Sequence, residues 1–429
     1  MLVSLSKSAN QIGFSTSWLS MRSALIVSFA CSLIAATPPC TSASADGRSL
    51  QRAVDRYMNR LTGERLQASA QGVLIQTSDR VMAGYQPSTA LPAASTTKAA
   101  TSLAALVKLG PRYRFVTDFG FSGTLDSGVL HGDLIVKGSG DPFFVWEDAI
   151  AVANQLQILG IRRIEGQLVV VGNFEMNFRA DPSAAGALLR AGFDSRIWPK
   201  DAATQFDTMP AGTARPTLEI RAKVEARPDS PPKVRWAARH DSQPLIALIK
   251  RMNLYSNNMM ADTVANDVGG PAEVARIAAA QTGIAADELK LINGSGLGID
   301  NRLSPRALCA VLLALDRLLR LHGLGLGNAF ATIGRDQGIL DKRNLPPLLI
   351  AKSGTLATVS DLGGALPTRN GVLWFALMNQ GPNVKRLRLE QARLLADLEN
   401  IEGSVSQLPP QLAPRLEPDG AGALVETLP

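Results

Sequence analysis

The spacing of apolar positions predicts two kinds of element in this chain. Helical spacing runs over about 50–60, and strand-like runs follow at 72–77 and 81–85, joined by the polar turn Ser78-Asp79-Arg80. A second helical run begins near Ser95, after Pro92, and closes at Gly110-Pro111, where glycine and proline stop a helix. Far downstream, runs at 348–355, 360–366 and 372–379 carry the strand pattern, and Asn370-Gly371 joins the last two as a two-residue hairpin. A last helix covers about 384–400. The two ends of the chain therefore supply one antiparallel sheet flanked by helices.

Residues 113–228 read differently. Short strand-like runs at 115–121, 133–136, 167–171 and 217–224 are cut by glycine and proline turns, which predicts an inserted, mostly β domain. Pro228, Pro231 and Pro232 mark its exit, and helical periodicity returns over 244–268. From Glu402 the chain holds Pro409, Pro410, Pro414, Pro418 and Pro429 among few large apolar groups, so a disordered tail is expected over 402–429.

Composition removes several function classes. The chain is 46% hydrophobic with a formal charge of +7, but only 19% of residues are charged, and no Lys/Arg-rich run tracks a phosphate backbone, so no nucleic acid partner is expected. Cys31, Cys40 and Cys309 with His131, His240 and His322 support neither a disulfide framework nor a zinc cluster, and no metal or cofactor is expected. Residues 24–36 form an apolar core behind Arg22, and Ala43-Ser44-Ala45 precedes Asp46, the pattern of a signal peptide cleaved after residue 45. Export to the periplasm follows, with either Met1 or Met21 as the start. Cys40 lacks the small residues that a lipoprotein signal places before its cysteine, and Cys309, inside an apolar helical run, reads as core.

Three short motifs carry candidate chemistry. In Ser95-Thr96-Thr97-Lys98 the hydroxyl and the amine, three residues apart at a helix start, face the same way, and the positive end of the helix favours negative charge developing there. Ser256-Asn257-Asn258 falls at a helix-to-helix connection, and Lys352-Ser353-Gly354 on a strand whose glycine lets a ligand approach the backbone. His240-Asp241-Ser242 holds the letters of a Ser-His-Asp triad, but adjacent residues do not assemble one, and Asp287-Glu288 has the wrong spacing to Asn293 for a deacylating glutamate.

The ordered set, with Leu91-Pro92-Ala93-Ala94 before the serine, Gly138-Ser139-Gly140-Asp141-Pro142, Gly294-Ser295-Gly296-Leu297 and Thr355-Leu356, resembles the class C low-molecular-mass penicillin-binding proteins, a family of D-alanyl-D-alanine carboxypeptidases and endopeptidases. The resemblance runs from about Leu50 to Asn400. It implies an α/β fold of the α+β type, a serine β-lactamase/DD-peptidase-like domain plus the insertion. The division is 1–45 signal peptide, 46–112 first part of the peptidase domain, 113–228 insertion, 229–401 second part and 402–429 tail. It also implies roles: Ser95 as nucleophile, Lys98 as base, Ser256 as proton relay, Asn258 on the substrate amide, and Lys352 with Ser353 facing the terminal carboxylate. The strand Ser353, Gly354 and Thr355 binds substrate, with the N–H groups of Ser95 and Thr355 forming the oxyanion hole. Peptidoglycan stem peptides are the implied substrates and β-lactam antibiotics the implied covalent inhibitors; oligomeric state stays open.

The chain departs from the family at four places. Ser353 stands for the usual threonine and Asn257 for a common aspartate, the insertion is shorter than in larger members, and Val171-Gly172-Asn173 replace an acidic residue near the substrate. A serine β-lactamase and a non-catalytic peptidoglycan-binding scaffold remain as alternative readings.

Overall fold

In a computed structural model of the chain, residues 47–63, 65–415 and 422–428 are described. The expected signal peptide lies outside the described residues.

The main sheet is antiparallel throughout, in the order Ala331–Thr332, Ile350–Leu356, Val359–Thr368, Gly371–Gln380, Gln71–Gln76, Val81–Tyr85. Strands from the two ends of the chain meet within it, with Val73 opposite Leu377. Both faces are covered, which is why these strands read as continuous apolar runs. Val73, Ile75, Phe375 and Leu377 point to one side, against Leu50, Tyr57, Leu394 and Leu398 of helices Gly47–Gly63 and Val384–Glu402. Leu74, Ala376 and Met378 alternate to the other side, against helix Pro305–Leu321, which packs in turn on helix Thr97–Leu109. Burying a Leu or Phe side chain contributes about 1.5–3 kcal/mol. This two-sided core presses strand Ile350–Leu356 against the turn that precedes helix Thr97–Leu109.

A second sheet has a core of its own, where Phe119, Phe144, Phe174 and Phe193 meet. Its order is Val224–Arg227, Leu168–Asn173, Leu134–Ser139, Val116–Phe121, Arg235–Asp241, Leu424–Thr427; the first three strands are parallel and the others antiparallel. Parallel neighbours require a crossover, and helix Trp146–Ile158 supplies it between Leu134–Ser139 and Leu168–Asn173. The insertion is thus more helical than its glycine and proline turns predict. Ala149, Ile150, Val152, Ala153 and Leu156 have helical spacing that a strand-oriented reading passes over. The sheet also continues past the prolines at 228–232, because Arg235–Asp241 pairs with Val116–Phe121.

The expectation of a disordered tail is corrected in part. Leu408 and Leu412 are buried in the core around helix Pro305–Leu321, Gly327 donates its N–H to Leu412 O at 2.9 Å, and Leu424–Thr427 pairs with Arg235–Asp241. Composition measures what the tail could bury alone. It misses what the tail buries on an existing surface and an open sheet edge.

Candidate active site

Ser95 lies on a 3-10 turn, Ala94–Thr96, just ahead of helix Thr97–Leu109, rather than on the α-helix itself. With three residues per turn, positions i and i+3 eclipse, and Lys98 Nζ sits 3.0 Å from Ser95 Oγ. The turn is strained: Ala94 has φ 43°, a left-handed conformation that costs a non-glycine residue about 1–3 kcal/mol. Close packing of backbone holds it there. A Cβ on Gly296 would fall 1.7 Å from Ala94 O, and one on Gly354 would fall 2.8 Å from Ala93 O and 3.1 Å from Ser95 N. Only glycine at both positions lets the two chains close on the serine.

The Lys98 side chain has no solvent exposure. Its Nζ donates to Asn258 Oδ1 at 2.8 Å and to Ser295 O at 2.7 Å. Asn258 opens helix Asn258–Val268, and one turn along the same face Asp262 accepts the Ser295 N–H at 2.8 Å, which orients the carbonyl that Lys98 uses. Burial pulls the Lys98 amine down to about 7, while the Asp262 charge pulls it up.

Lys352 is equally closed off, on the other side of the site. Its Nζ donates to Ser256 Oγ at 3.0 Å and to Ser353 O at 2.7 Å. Burial, reinforced by the charge of Lys98, holds its amine well below the usual lysine range. Ser256 bridges the two helices Leu245–Leu254 and Asn258–Val268 with φ 53°, a second left-handed non-glycine residue at the site. Asn257, at the position where aspartate is common in the resembled family, caps the second helix: its side chain accepts the Met260 N–H at 3.1 Å. Asparagine and aspartate do this equally well, which accounts for the departure.

The structure therefore brings Ser95, Lys98 and Asn258 into one cluster and Ser256, Lys352 and Ser353 into another, joined by the influence of one lysine on the other. Gly354 lies against Ser95, and Thr355 is exposed at the strand end, where its Oγ1 accepts from Arg388 Nη2 at 2.9 Å. Two contributors escape the motif reading: the carbonyl of Ser295 and Asp262. The four-residue step from Asn258 to Asp262 on one helix was the only signal of the second. His240 is buried and 3.0 Å from Asp148, away from Ser242, whose hydroxyl donates to Gln243 O. Glu288 is held by Ser304 and Arg306, and Cys309 is buried core.

A serine on a turn at a helix start, within hydrogen-bond reach of a lysine whose burial lowers its affinity for a proton, and packed against a sheet flanked by helices, defines a serine hydrolase of the Ser-Lys type. The chain belongs to the D-Ala-D-Ala carboxypeptidase 3 (S13) family, which it matches over residues 50–179 and 217–398. It is 23% identical to the D-alanyl-D-alanine carboxypeptidase DacB of Haemophilus influenzae over 393 residues, 68% of this chain and 81% of that protein. Among solved structures, the fold is similar to the Bd3459 predatory endopeptidase of Bdellovibrio bacteriovorus in complex with its immunity protein Bd3460, with a TM-score of 0.67 and 20% identity over 83% of this chain and 99% of that one. The penicillin G acylated form of Bd3459 in complex with Bd3460 gives a TM-score of 0.65 and 23% identity over 79% and 94%.

Proposed function

We propose that this serine peptidase cleaves the D-Ala-D-Ala ends and cross-links of peptidoglycan stem peptides in the periplasm, after export by its amino-terminal signal, and that β-lactams acylate it covalently. The observation that carries this reading is the valence of Lys98. A neutral amine has two N–H donors and one lone pair; Asn258 Oδ1 and Ser295 O take the donors, so the lone pair is left for the hydroxyl of Ser95. Ser95 Oγ attacks the carbonyl of the penultimate D-alanine as its proton passes to Lys98. The N–H groups of Ser95 and Thr355 hold the oxyanion, each such donor contributing about 3–4 kcal/mol to the transition state. Collapse breaks the C–N bond, and Ser256 delivers a proton to the leaving amine and is reprotonated with the proton that Lys98 took. Water, giving its proton to the neutral Lys98, then hydrolyses the ester, and Lys98 returns the proton to Ser95.

Lys352 and Ser353 face the substrate carboxylate in this scheme. Arrival of that carboxylate favours the protonated form of Lys352, and the restored charge pushes the proton off Lys98. Binding thus prepares the base. The relation to Bd3459, which penicillin G acylates, supports β-lactam reactivity at Ser95.

Incubation with a fluorescent penicillin followed by peptide mass spectrometry tests the proposal. One adduct on Ser95, long-lived and missing in Ser95→Ala, is expected. No adduct would contradict the function, and turnover of benzylpenicillin within seconds would favour a β-lactamase.

A further inference from the structure

At the end of the main sheet away from Thr355 lies a cavity of about 320 Å³. The register fixes its place. Lys352 is in the row of Gly363, Ala376 and Leu74, and Thr355 lies further on, in the row of Ser360 and Asn379. The pairs Gln76 with Trp374 and Thr368 with Gly371 close the opposite end. There Asn370 and Trp374 line the cavity together with Asp316 and Arg320 of helix Pro305–Leu321 and with Gln411 and Leu412 of the tail. No residue of the catalytic site borders it.

Asp316 is its unfinished group. The residue is 3% exposed, its Oδ2 accepts from Arg320 Nη2 at 2.8 Å, and its Oδ1 is buried without a partner. An enclosed carboxylate oxygen with no donor costs free energy until an O–H or N–H reaches it. Arg320 already balances the charge, and Asp316 is the single carboxylate lining the cavity among the described residues, so a metal cation finds neither surplus charge nor a ligand set. A neutral donor fits better. Trp374, Val372 and Leu412 give the cavity apolar wall, while Asn370 and Gln411 add side-chain amides. A sugar ring has an apolar C–H face and a rim of hydroxyls, and an amino sugar adds an acetamido group that an amide side chain can meet as donor and acceptor. A peptide fits worse, because extended peptides add to an open strand edge, and this cavity is bordered by the turns after Gln76 and Thr368.

We propose that this cavity is a subsite for an N-acetylated sugar ring of the peptidoglycan glycan strand, and that it holds the enzyme on the wall whose peptides it cleaves. The proposal rests on the peptidase function given above for the identity of the polymer. It also gives the tail a task, since Gln411 and Leu412 form one wall of the subsite.

Calorimetric titration with a peptide-free glycan tetrasaccharide tests it in wild type, Asp316→Asn and Gln411→Trp, the last of which fills the cavity from an exposed position. Wild type should bind the tetrasaccharide. Asp316→Asn should weaken binding about tenfold, the scale of one hydrogen bond to a charged group, and Gln411→Trp should abolish it. Both variants should keep wild-type acylation by penicillin and wild-type turnover of a short peptide, yet release D-alanine more slowly from intact sacculi. No binding by wild type, equal binding by all three proteins, or equally tight binding of maltotetraose would overturn the inference while leaving the function standing. Failure of penicillin to acylate wild type would instead contradict the peptidase function, and with it the choice of polymer.

Discussion

The helical half and the sheet half of the site each bury a lysine, and the two are provided for in opposite ways. Lys98, on the helical side, has three acceptors around Nζ and an aspartate one step away. Lys352, on the sheet, has two acceptors and no carboxylate among its hydrogen-bond partners, and it feels the charge of Lys98. Burial lowers both amines, but it leaves them different work. Lys98 has every valence engaged when neutral, with the lone pair on Ser95, which suits a base. Lys352 has both donors taken when neutral and gains a third, unfilled one on protonation, which suits a group that an arriving anion charges.

Arginine substitution breaks the symmetry most sharply. Lys98→Arg keeps the charge and cannot supply a lone pair, so the acylation rate constant should fall about 100- to 10,000-fold, the worth of a general base. Lys352→Arg keeps what the sheet side needs and should cost roughly tenfold, about one imperfect hydrogen bond. Rapid-quench acylation by a penicillin, with circular dichroism to verify folding, measures both. Equal losses, or a larger loss at Lys352, would reverse the roles.

A smaller change sharpens the electrostatic part. Asp262 raises the Lys98 pKa, so Asp262→Asn should move the rising limb of the acylation pH profile to lower pH, below its wild-type position near 7. A limb that stays put would show that Asp262 acts only through the Ser295 N–H. Smallest is the cap of the helix that carries Asn258. Asn257→Ala should destabilise the protein by about 1 kcal/mol in urea unfolding, and Asn257→Asp by next to nothing.

Much of the helical half was legible in the sequence because its partners are close in the chain. Ser95 and Lys98 are three positions apart, and a turn of either helical type brings them together. The sheet half was legible as motifs only. That Lys352 would reach Ser256, 96 positions earlier, depends on how strand Ile350–Leu356 lies against the connection between two helices. No local pattern encodes that; the resemblance put both residues in one site and left their contact to the structure. Periodicity placed the hairpin between Val359–Thr368 and Gly371–Gln380 correctly but its turn one residue late: the two turn residues are Arg369 and Asn370, and Gly371 already pairs with Thr368. It underrated the insertion, where a βαβ crossover through Trp146–Ile158 hides among glycines and prolines, and the tail, whose apolar residues bury against other parts of the chain.

The central claim is that Lys98 is the base because the fold takes its proton away near neutrality. The acylation rate constant of wild-type enzyme with a penicillin, followed from pH 5 to 9, tests it most directly. Since only the neutral amine can accept the Ser95 proton, the rate should climb as pH rises through about 7 and level off above it. A rate that is flat across this range, or that climbs only near the usual lysine value of about 10.4, would contradict the account.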